Sequence, residues 1–180
     1  MIYIFLADGF EEMEALAPTD ILRRAKADVR TVGVTGREVT SSHKVTFKTD
    51  LSIDEIALDD NLEMIILPGG MPGTLNLEAS DKVQQAIDFC AGNDKYIAAI
   101  CAAPSILGHK GLLAGKNATC FPGFEKDLEG AAYTGELVVK DGKIITAKGA
   151  GASIEFGLKL AEVIVSSEVS ESIRSGLQCR

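Results

Sequence analysis

The stretch Tyr96–Pro104 reads YIAAICAAP and contains the pattern that decides the fold. Its first five residues form an apolar run, which predicts a buried strand, and Ala103–His109 predicts a helix soon after it. Cys101 stands in the turn between the two, beside alanine residues whose small side chains suit a cramped bend. A strand, a tight turn and a helix in succession are typical of a nucleophile elbow, which exposes one side chain above a sheet.

Similar apolar runs precede this one and alternate with helical patterns. Three of them predict further strands, Ile2–Ala7, Val29–Thr35 and Leu62–Leu67. Apolar residues at helical spacing predict a helix that begins after Ser80, as its N-cap, and another that contains Ile154, Leu158, Ala161 and Val165. Strands that alternate with helices predict an α/β fold with a mostly parallel sheet covered on both faces.

Two segments depart from that alternation, and the end of the chain is ambiguous. Lys44–Lys48 alternates and predicts a short antiparallel strand. Leu137–Ala147 predicts a hairpin, in which Asp141-Gly142 would form a type I′ turn. The final Ser166–Arg180 is polar and fits either a docked helix or a frayed tail.

Composition sets the broad class of the protein. The chain has 180 residues, 46% of them hydrophobic, and a net charge of −8, which predicts one globular domain over residues 1–180. Such an acidic surface argues against nucleic-acid binding, and no apolar run approaches the ~20 residues of a membrane span. No secretory signal is recognised, so we expect a cytoplasmic protein whose four cysteines stay reduced.

The sequence also argues against the common cofactors. With two histidines and no CxxC pair among the cysteines, no zinc site is expected. The segment Gly149-Ala150-Gly151 lacks the third glycine of a dinucleotide fingerprint, because Ile154 stands in its place, and no P-loop motif occurs. We therefore expect neither a cofactor nor a metal.

Cys101 is the first candidate for chemistry. At the start of a helix the partial positive charge favours a thiolate, so we expect a lowered thiol pKa. The alternative is an inert, buried cysteine, which is common. Cys90 lies on the apolar stripe of its helix and is expected in the core, whereas Cys120 and Cys179 have no supporting context.

Glu14 is the second candidate. On a helix spanning Phe10–Ala27, Glu14 lies at the centre of the apolar stripe, without Lys or Arg one turn away. An unpaired carboxylate that faces a core is costly, and the usual relief is a raised pKa. The alternative is a helix that begins later, at Pro18, which would leave Glu14 in a solvated loop.

The remaining residues of the predicted site offer donors rather than a histidine base. Gly69-Gly70 follows a buried strand and could aim backbone N–H groups at an anion. His109 lies too far along its helix to reach Cys101, and nothing local ties His43 to it. What remains is a thiolate beside a protonated carboxyl, a pair that can attack an aldehyde or react with an oxidant.

Four motifs occur in order along the chain. They are DGFEEME at Asp8–Glu14, LPGG at Leu67–Gly70, AICAAP at Ala99–Pro104 and KGAGASIEF at Lys148–Phe156. Together they resemble the ThiJ/PfpI superfamily, in its DJ-one branch of bacterial type, and the resemblance covers essentially the whole chain.

The resemblance implies a flavodoxin-like three-layer sandwich, usually assembled as a homodimer. It implies Cys101 as nucleophile and Glu14 as its hydrogen-bonding acid, with oxyanion-type backbone donors at Gly70 and Ala102. Gly69, from the same turn, is predicted from the residues themselves as an oxyanion or substrate contact. Members of the family are described as cofactor-independent glyoxalases that turn methylglyoxal into lactate, and as deglycases of glycated adducts. Oxidation of the cysteine to sulfinate and chaperone activity are also described.

The chain departs from the family pattern at several positions. Ala102 stands where the protease-like branch has a histidine, which argues against peptidase activity. Phe121 replaces a histidine near the site, and Met71 replaces an asparagine. His43 falls where a family arginine reaches the site across the dimer, which makes it a weaker candidate for an anion-facing role. The long C-terminal helix of the human-type branch is expected to be absent or shortened.

Three functions are therefore compatible with the sequence. The first is an enzyme in which Cys101 adds to an α-oxoaldehyde and Glu14 moves protons. The second is a redox-sensing stress protein with chaperone activity, in which Cys101 is oxidised to sulfinate. The third is a small-molecule binding domain without turnover.

Overall fold

A seven-stranded sheet forms the centre of the computed structural model, which describes residues 1–179. The spatial order is β10-β11-β7-β6-β1-β2-β5, and all neighbours are parallel except β10 and β11. The strands of this sheet are β1 (Ile2–Leu6), β2 (Val29–Gly33), β5 (Leu51–Ser52), β6 (Met64–Leu67), β7 (Tyr96–Ile100), β10 (Val138–Asp141) and β11 (Ile144–Ala147). The mostly parallel sheet that the alternating sequence predicts is confirmed.

In the described part of the chain, two smaller sheets, six α-helices and three short 3₁₀ helices complete the fold. An antiparallel pair joins β3 (Glu38–Thr40) to β4 (Thr46–Lys48), and a parallel pair joins β8 (Asn117–Ala118) to β9 (Ala132–Tyr133). The helices are α1 (Glu12–Arg24), α2 (Gly73–Glu78), α3 (Asp81–Gly92), α4 (Pro104–His109), α5 (Ser153–Ile164) and α6 (Ser167–Gly176). No helix within residues 1–179 combines the length and apolar composition needed to cross a bilayer.

Alternating residues of β1 divide the core into two layers. Ile2, Ile4 and Leu6 belong to a cluster with apolar residues of α1, α5 and α6. Tyr3 and Phe5 belong to a second cluster, with residues of α2, α3 and α4. Since successive side chains of a strand point to opposite faces, helices cover both sides of the sheet. The three-layer α/β sandwich is thereby confirmed.

The order of the parallel strands positions the site. Strands β2, β1, β6, β7 and β11 lie side by side in the order of a flavodoxin-like sheet. The chain therefore leaves β1, β6 and β7 at the same edge, at the carboxyl ends of three adjacent strands. Ligands of open α/β sheets bind beyond this edge.

Two details of the hairpins differ from expectation. The β10–β11 turn consists of Gly142 and Lys143, since Asp141 pairs with Ile144, and of these two only Gly142 has a positive φ, of 60°. A type I′ turn needs positive φ at both central residues, so the predicted turn type is wrong. The predicted strand Lys44–Lys48 is shorter than expected and forms β4.

The polar C-terminal segment forms a docked helix. The Ser166 side chain caps α6 by accepting the N–H of Val169, and the buried Ser170 hydroxyl donates to the Leu158 carbonyl at 2.8 Å. Arg174 donates to both carboxylate oxygens of Glu155 on α5. Of the two alternatives for this segment, the docked helix is correct for the described residues, and Arg180 lies outside them.

Candidate active site

Cys101 occupies a tight elbow directly after β7. Its backbone has a φ of 66°, a left-handed conformation that is rare for residues other than glycine. Two hydrogen bonds hold it there, because its N–H donates to the Ala147 carbonyl at 2.9 Å and its carbonyl accepts the Phe121 N–H at 2.8 Å. Such strain persists only where the surrounding structure enforces it. The thiol is partly exposed, as the elbow pattern predicts.

Glu14 lies on the first turn of α1, which continues through Pro18. The alternative in which the helix begins at Pro18 is therefore wrong, and the Glu14 side chain is 0% exposed. Its N–H donates to the Glu11 carboxylate, the N-cap of α1, at 2.8 Å. Its Oε2 atom accepts the Gly69 N–H at 2.8 Å, whereas Oε1 is buried without a hydrogen bond of good geometry within residues 1–179.

Gly69 is the point at which the two side chains converge. A methyl group at Gly69 would lie 2.7 Å from the Cβ of Cys101 and 2.7 Å from Oε2 of Glu14. Both distances are far below ordinary contact, so no larger residue fits without displacing one of them. The glycine therefore allows β6, α1 and the elbow after β7 to meet.

The environment of the pair shifts both pKa values upward. Burial raises the pKa of Glu14 from 4.5 to about 7, even though hydrogen bonds with Cys101 and Gly69 act to lower it. Burial, reinforced by the facing charge of Glu14, raises the pKa of the Cys101 thiol to about 12. The raised pKa of Glu14 is as the sequence predicts. The expected lowering of the thiol pKa is wrong, because burial outweighs the effect of the short helix α4.

Backbone donors surround the Cys101 sulfur. The N–H groups of Gly70 and Ala102 form hydrogen bonds with the sulfur and act to lower the thiol pKa. Gly70 has a φ of 91°, and a Cβ there would lie 2.5 Å from the Glu11 nitrogen, so the loop requires glycine. The two N–H groups can hold an oxyanion formed next to the sulfur.

His43 lies at the outer side of α1 rather than on the Cys101–Glu14 pair. Its side chain is 70% exposed, and its Nδ1 lies 3.0 Å from the Glu12 carboxylate. The hydrogen bond with Glu12 raises the pKa of His43 above its usual value. Glu11, Glu12 and His43 place their ligand atoms within 4.8 Å of one another, and they are the one group of the described residues that could hold a metal ion.

Two residues without a predicted role at the site lie next to the sulfur, although the resemblance placed Phe121 near it. A Cβ placed on Gly149 would lie 3.1 Å from Cδ2 of Phe121 and 4.0 Å from Sγ of Cys101. Phe121 and Gly149 thus stand beside the nucleophile, although each comes from a different loop. The signal for Gly149 was its place beyond the carboxyl end of β11, which pairs in parallel with β7.

The comparisons with known proteins agree on one family. A family model described as the DJ-1/PfpI family matches residues 1–163. "Protein dj-1beta" of Drosophila melanogaster is 36% identical over 177 residues, which cover 97% of this chain and 94% of the fly protein. "Glutathione-independent glyoxalase DJ-1" of Schizosaccharomyces pombe is 32% identical over 186 residues and covers 98% of this chain and 97% of its own.

A solved structure shows the same similarity in three dimensions. "Toxoplasma gondii DJ-1, oxidized" superposes with a TM-score of 0.93 at 33% identity, covering 98% of this chain and 97% of that one. The named relatives come from an insect, a yeast and a protozoan parasite. They give no support to the expectation of a bacterial-type branch.

The raised pKa of Glu14 predicts a pH-dependent cost in stability. The pKa of this carboxyl is raised from 4.5 to about 7 in the folded state. Its contribution to the free energy of unfolding is therefore fully present below roughly pH 4.5 and is lost as the pH rises through 7. We expect Glu14→Gln to be more stable than the wild type by about 3 kcal/mol above pH 7, and equal to it near pH 4. Urea unfolding across this pH range measures the difference.

The matched control is Glu136→Gln, which changes an exposed glutamate outside the site. It should follow the wild type at every pH. A Glu14→Gln protein whose advantage does not grow with pH would contradict the buried, protonatable carboxyl.

Proposed function

The chain belongs to the DJ-1/PfpI family, and from this membership and the site geometry we propose that it is a cysteine-dependent, cofactor-independent glyoxalase. Its substrates are small α-oxoaldehydes such as methylglyoxal, which it converts into α-hydroxy acids. The observation that supports the proposal is the meeting of Cys101, Glu14 and two backbone donors at Gly69. The 32%-identical yeast relative bears the name of a glyoxalase.

The first step is addition of sulfur to the aldehyde. Because the thiol pKa is raised, Cys101 reacts as its proton passes to the Glu14 carboxylate, whose pKa near 7 suits a general base at neutral pH. The C–S bond forms, and the carbonyl electron pair moves onto oxygen. The N–H groups of Gly70 and Ala102 hold this oxyanion until Glu14 returns the proton, which gives a hemithioacetal.

The second step is an internal redox rearrangement, so it requires no external oxidant. Glu14 removes the former aldehyde hydrogen as a proton and delivers a proton to the adjacent carbon, through an enediol. The aldehyde carbon is oxidised to a thioester while the ketone carbon is reduced to an alcohol. Water then attacks the thioester, with Glu14 taking its proton, the C–S bond breaks, and the sulfur regains a proton. The sum is one α-oxoaldehyde plus one water giving one α-hydroxy acid.

The same chemistry extends to adducts of these aldehydes. Early adducts with thiols and amines release the free aldehyde reversibly, and we propose that a deglycase activity proceeds through the same Cys101 hemithioacetal. Peptide hydrolysis is not proposed, because Ala102 follows the nucleophile where a histidine base would be needed.

We further propose a homodimer that forms on α1 and α5. An apolar groove of about 390 Å³ runs between these helices and includes Met13 and Ile154, which are 57% and 44% exposed. Exposed apolar patches of this kind mark interaction surfaces. Sedimentation equilibrium should give about twice the 19.1 kDa of the chain, and a species of 19.1 kDa would contradict the dimer.

A reducing, cytoplasmic location and a one-domain organisation over residues 1–180 complete the proposal. All four cysteines are free, as expected where thiols stay reduced. Both core clusters pack on the same central sheet, which supports a single folding unit.

The proposal predicts lactate formation from methylglyoxal that depends on Cys101. We expect Cys101→Ser to lose at least about a hundredfold in kcat, because a hydroxyl is a far weaker nucleophile than a thiol. Cys179→Ser is the matched control, since Cys179 is also partly exposed, and it should keep wild-type turnover. A stereospecific lactate assay measures the product. Loss of methylglyoxal without lactate, or equal lactate from Cys101→Ser, would contradict the mechanism.

The pKa of Glu14 sets the expected pH profile. Glu14 must be ionised to accept the thiol proton, so kcat/KM should fall about tenfold per pH unit below 7 and level off above it. Glu14→Gln should remove turnover and with it this inflection. Initial rates between about pH 5.5 and about pH 8.5 measure the profile. A flat wild-type profile would mean that another group moves the proton.

A second candidate function is redox sensing with chaperone activity. It is favoured by the two N–H donors directed at the Cys101 sulfur, which can hold sulfinate oxygens, while a protonated Glu14 donates to the same group. The Toxoplasma relative is described as oxidized. Cys90 and Cys120 are buried and therefore protected.

Limited peroxide treatment tests this second function. We expect a selective gain of two oxygens at Cys101, faster at higher pH because burial raises the thiol pKa. Mass spectrometry of peptides after treatment locates the oxygens. Equal oxidation of Cys179 would show that Cys101 has no special reactivity.

A further inference from the structure

An apolar groove lies beside the Cys101 elbow, with Phe121 and Gly149 in its lining. Its volume is about 360 Å³, close to the smaller pockets that hold organic ligands. The lining consists of Phe121, Pro122, Leu137, Lys148, Gly149 and Ala150–Ala152. The mechanism above makes no use of it.

Gly149 brings the lining of the groove close to the reactive sulfur. A Cβ on Gly149 would lie 3.1 Å from Cδ2 of Phe121 and 4.0 Å from Sγ of Cys101, so the ring and the sulfur both lie next to this glycine. The Phe121 N–H also donates to the Cys101 carbonyl at 2.8 Å. This hydrogen bond ties the backbone of Phe121, a residue of the groove lining, to the strained elbow that carries the nucleophile.

The groove is apolar along its length. Phe121 is 47% exposed and Leu137 is 55% exposed, which leaves two large apolar side chains in contact with water. The ammonium of Lys148 donates to the Gly135 carbonyl at 3.2 Å, so this lysine offers mainly its methylene stem. Within the described residues, no side chain of the lining is acidic.

We propose that this groove binds the apolar substituent of the substrate, and that the protein prefers aryl α-oxoaldehydes to methylglyoxal. The inference rests on the proposed glyoxalase function and names its substrate class. In R–CO–CHO the carbon bonded to Cys101 is one bond from the ketone that carries R, so R lies beside the sulfur. A methyl group leaves the groove empty, whereas a phenyl ring packs against Phe121 and Leu137.

Binding and turnover are measured separately, with methylglyoxal and phenylglyoxal as probes. Each aldehyde protects Cys101 from iodoacetamide by forming the hemithioacetal, and mass spectrometry gives the half-protecting concentration. Each half-protecting concentration is divided by the value that the same aldehyde gives with free cysteine, which corrects for the difference in intrinsic reactivity between the two aldehydes. We expect phenylglyoxal to protect the wild type at a concentration lower on the order of tenfold. Parallel assays of hydroxy-acid formation give kcat/KM for both aldehydes.

Three variants locate the preference. Phe121→Ala should lower the ratio of phenylglyoxal to methylglyoxal protection about fivefold, because it removes the ring that packs on the phenyl substituent. Leu137→Ala removes another apolar side chain of the lining and should also lower the preference, so it tests the inference if Phe121→Ala fails to fold. Leu75→Ala removes a 55% exposed apolar side chain elsewhere and should behave as the wild type.

The outcomes separate the groove from the reaction. A wild type without preference, or a preference that survives both Phe121→Ala and Leu137→Ala, overturns the inference whether or not turnover occurs. A preference that depends on Phe121 without hydroxy-acid formation supports the groove as a binding site and overturns the glyoxalase function. If both aldehydes are turned over and protect Cys101 equally in the wild type and in both variants, the glyoxalase function is supported. The groove then has no part in substrate specificity, and the inference is overturned.

Discussion

At Gly69 a side chain as small as a methyl group would collide with Cys101 and Glu14 at the same time. The fold is arranged so that three chain segments meet at this point. Parallel strands β1, β6 and β7 end at one edge of the sheet, and their exits supply α1 with Glu14, the Gly69-Gly70 loop and the Cys101 elbow. The site therefore depends on strand order as much as on the identity of its side chains.

Two features of this site reduce the free energy of unfolding. Cys101 is held at a positive φ by bonds to Ala147 and Phe121, and Glu14 is buried with one oxygen unpaired within residues 1–179. Both features cost free energy that the two packed core clusters offset. In return, burial brings the Glu14 pKa to about 7, which suits a group that must accept and return a proton near neutral pH. The burial that gives Glu14 a pKa suited to the proposed function is thus also a feature that reduces the stability of the fold.

Much of the fold and of this pair was predictable from local sequence patterns. The strand Tyr96–Ile100 has the predicted bounds, and helical periodicity placed Glu14 toward the core, because these features depend on neighbours along the chain. The thiol pKa was predicted with the wrong sign, since burial is a tertiary property that outweighs a short helix. The proximity of Gly149 and Phe121 to each other and to the sulfur could not be predicted from local patterns, because loops distant in sequence bring them together. The contact of His43 with Glu12 could not be predicted for the same reason.

The central claim is that Glu14 moves a substrate hydrogen as a proton while Cys101 holds the substrate. The most direct measurement is to convert methylglyoxal in deuterium oxide and to locate deuterium in the lactate by mass spectrometry and NMR. A carboxyl that exchanges with solvent delivers deuterium to the carbon that bears the new hydroxyl, so the account predicts lactate labelled at this carbon. Lactate without deuterium there would show that the transferred hydrogen never exchanges with solvent and would contradict a proton shuttle through a solvent-exchanging Glu14.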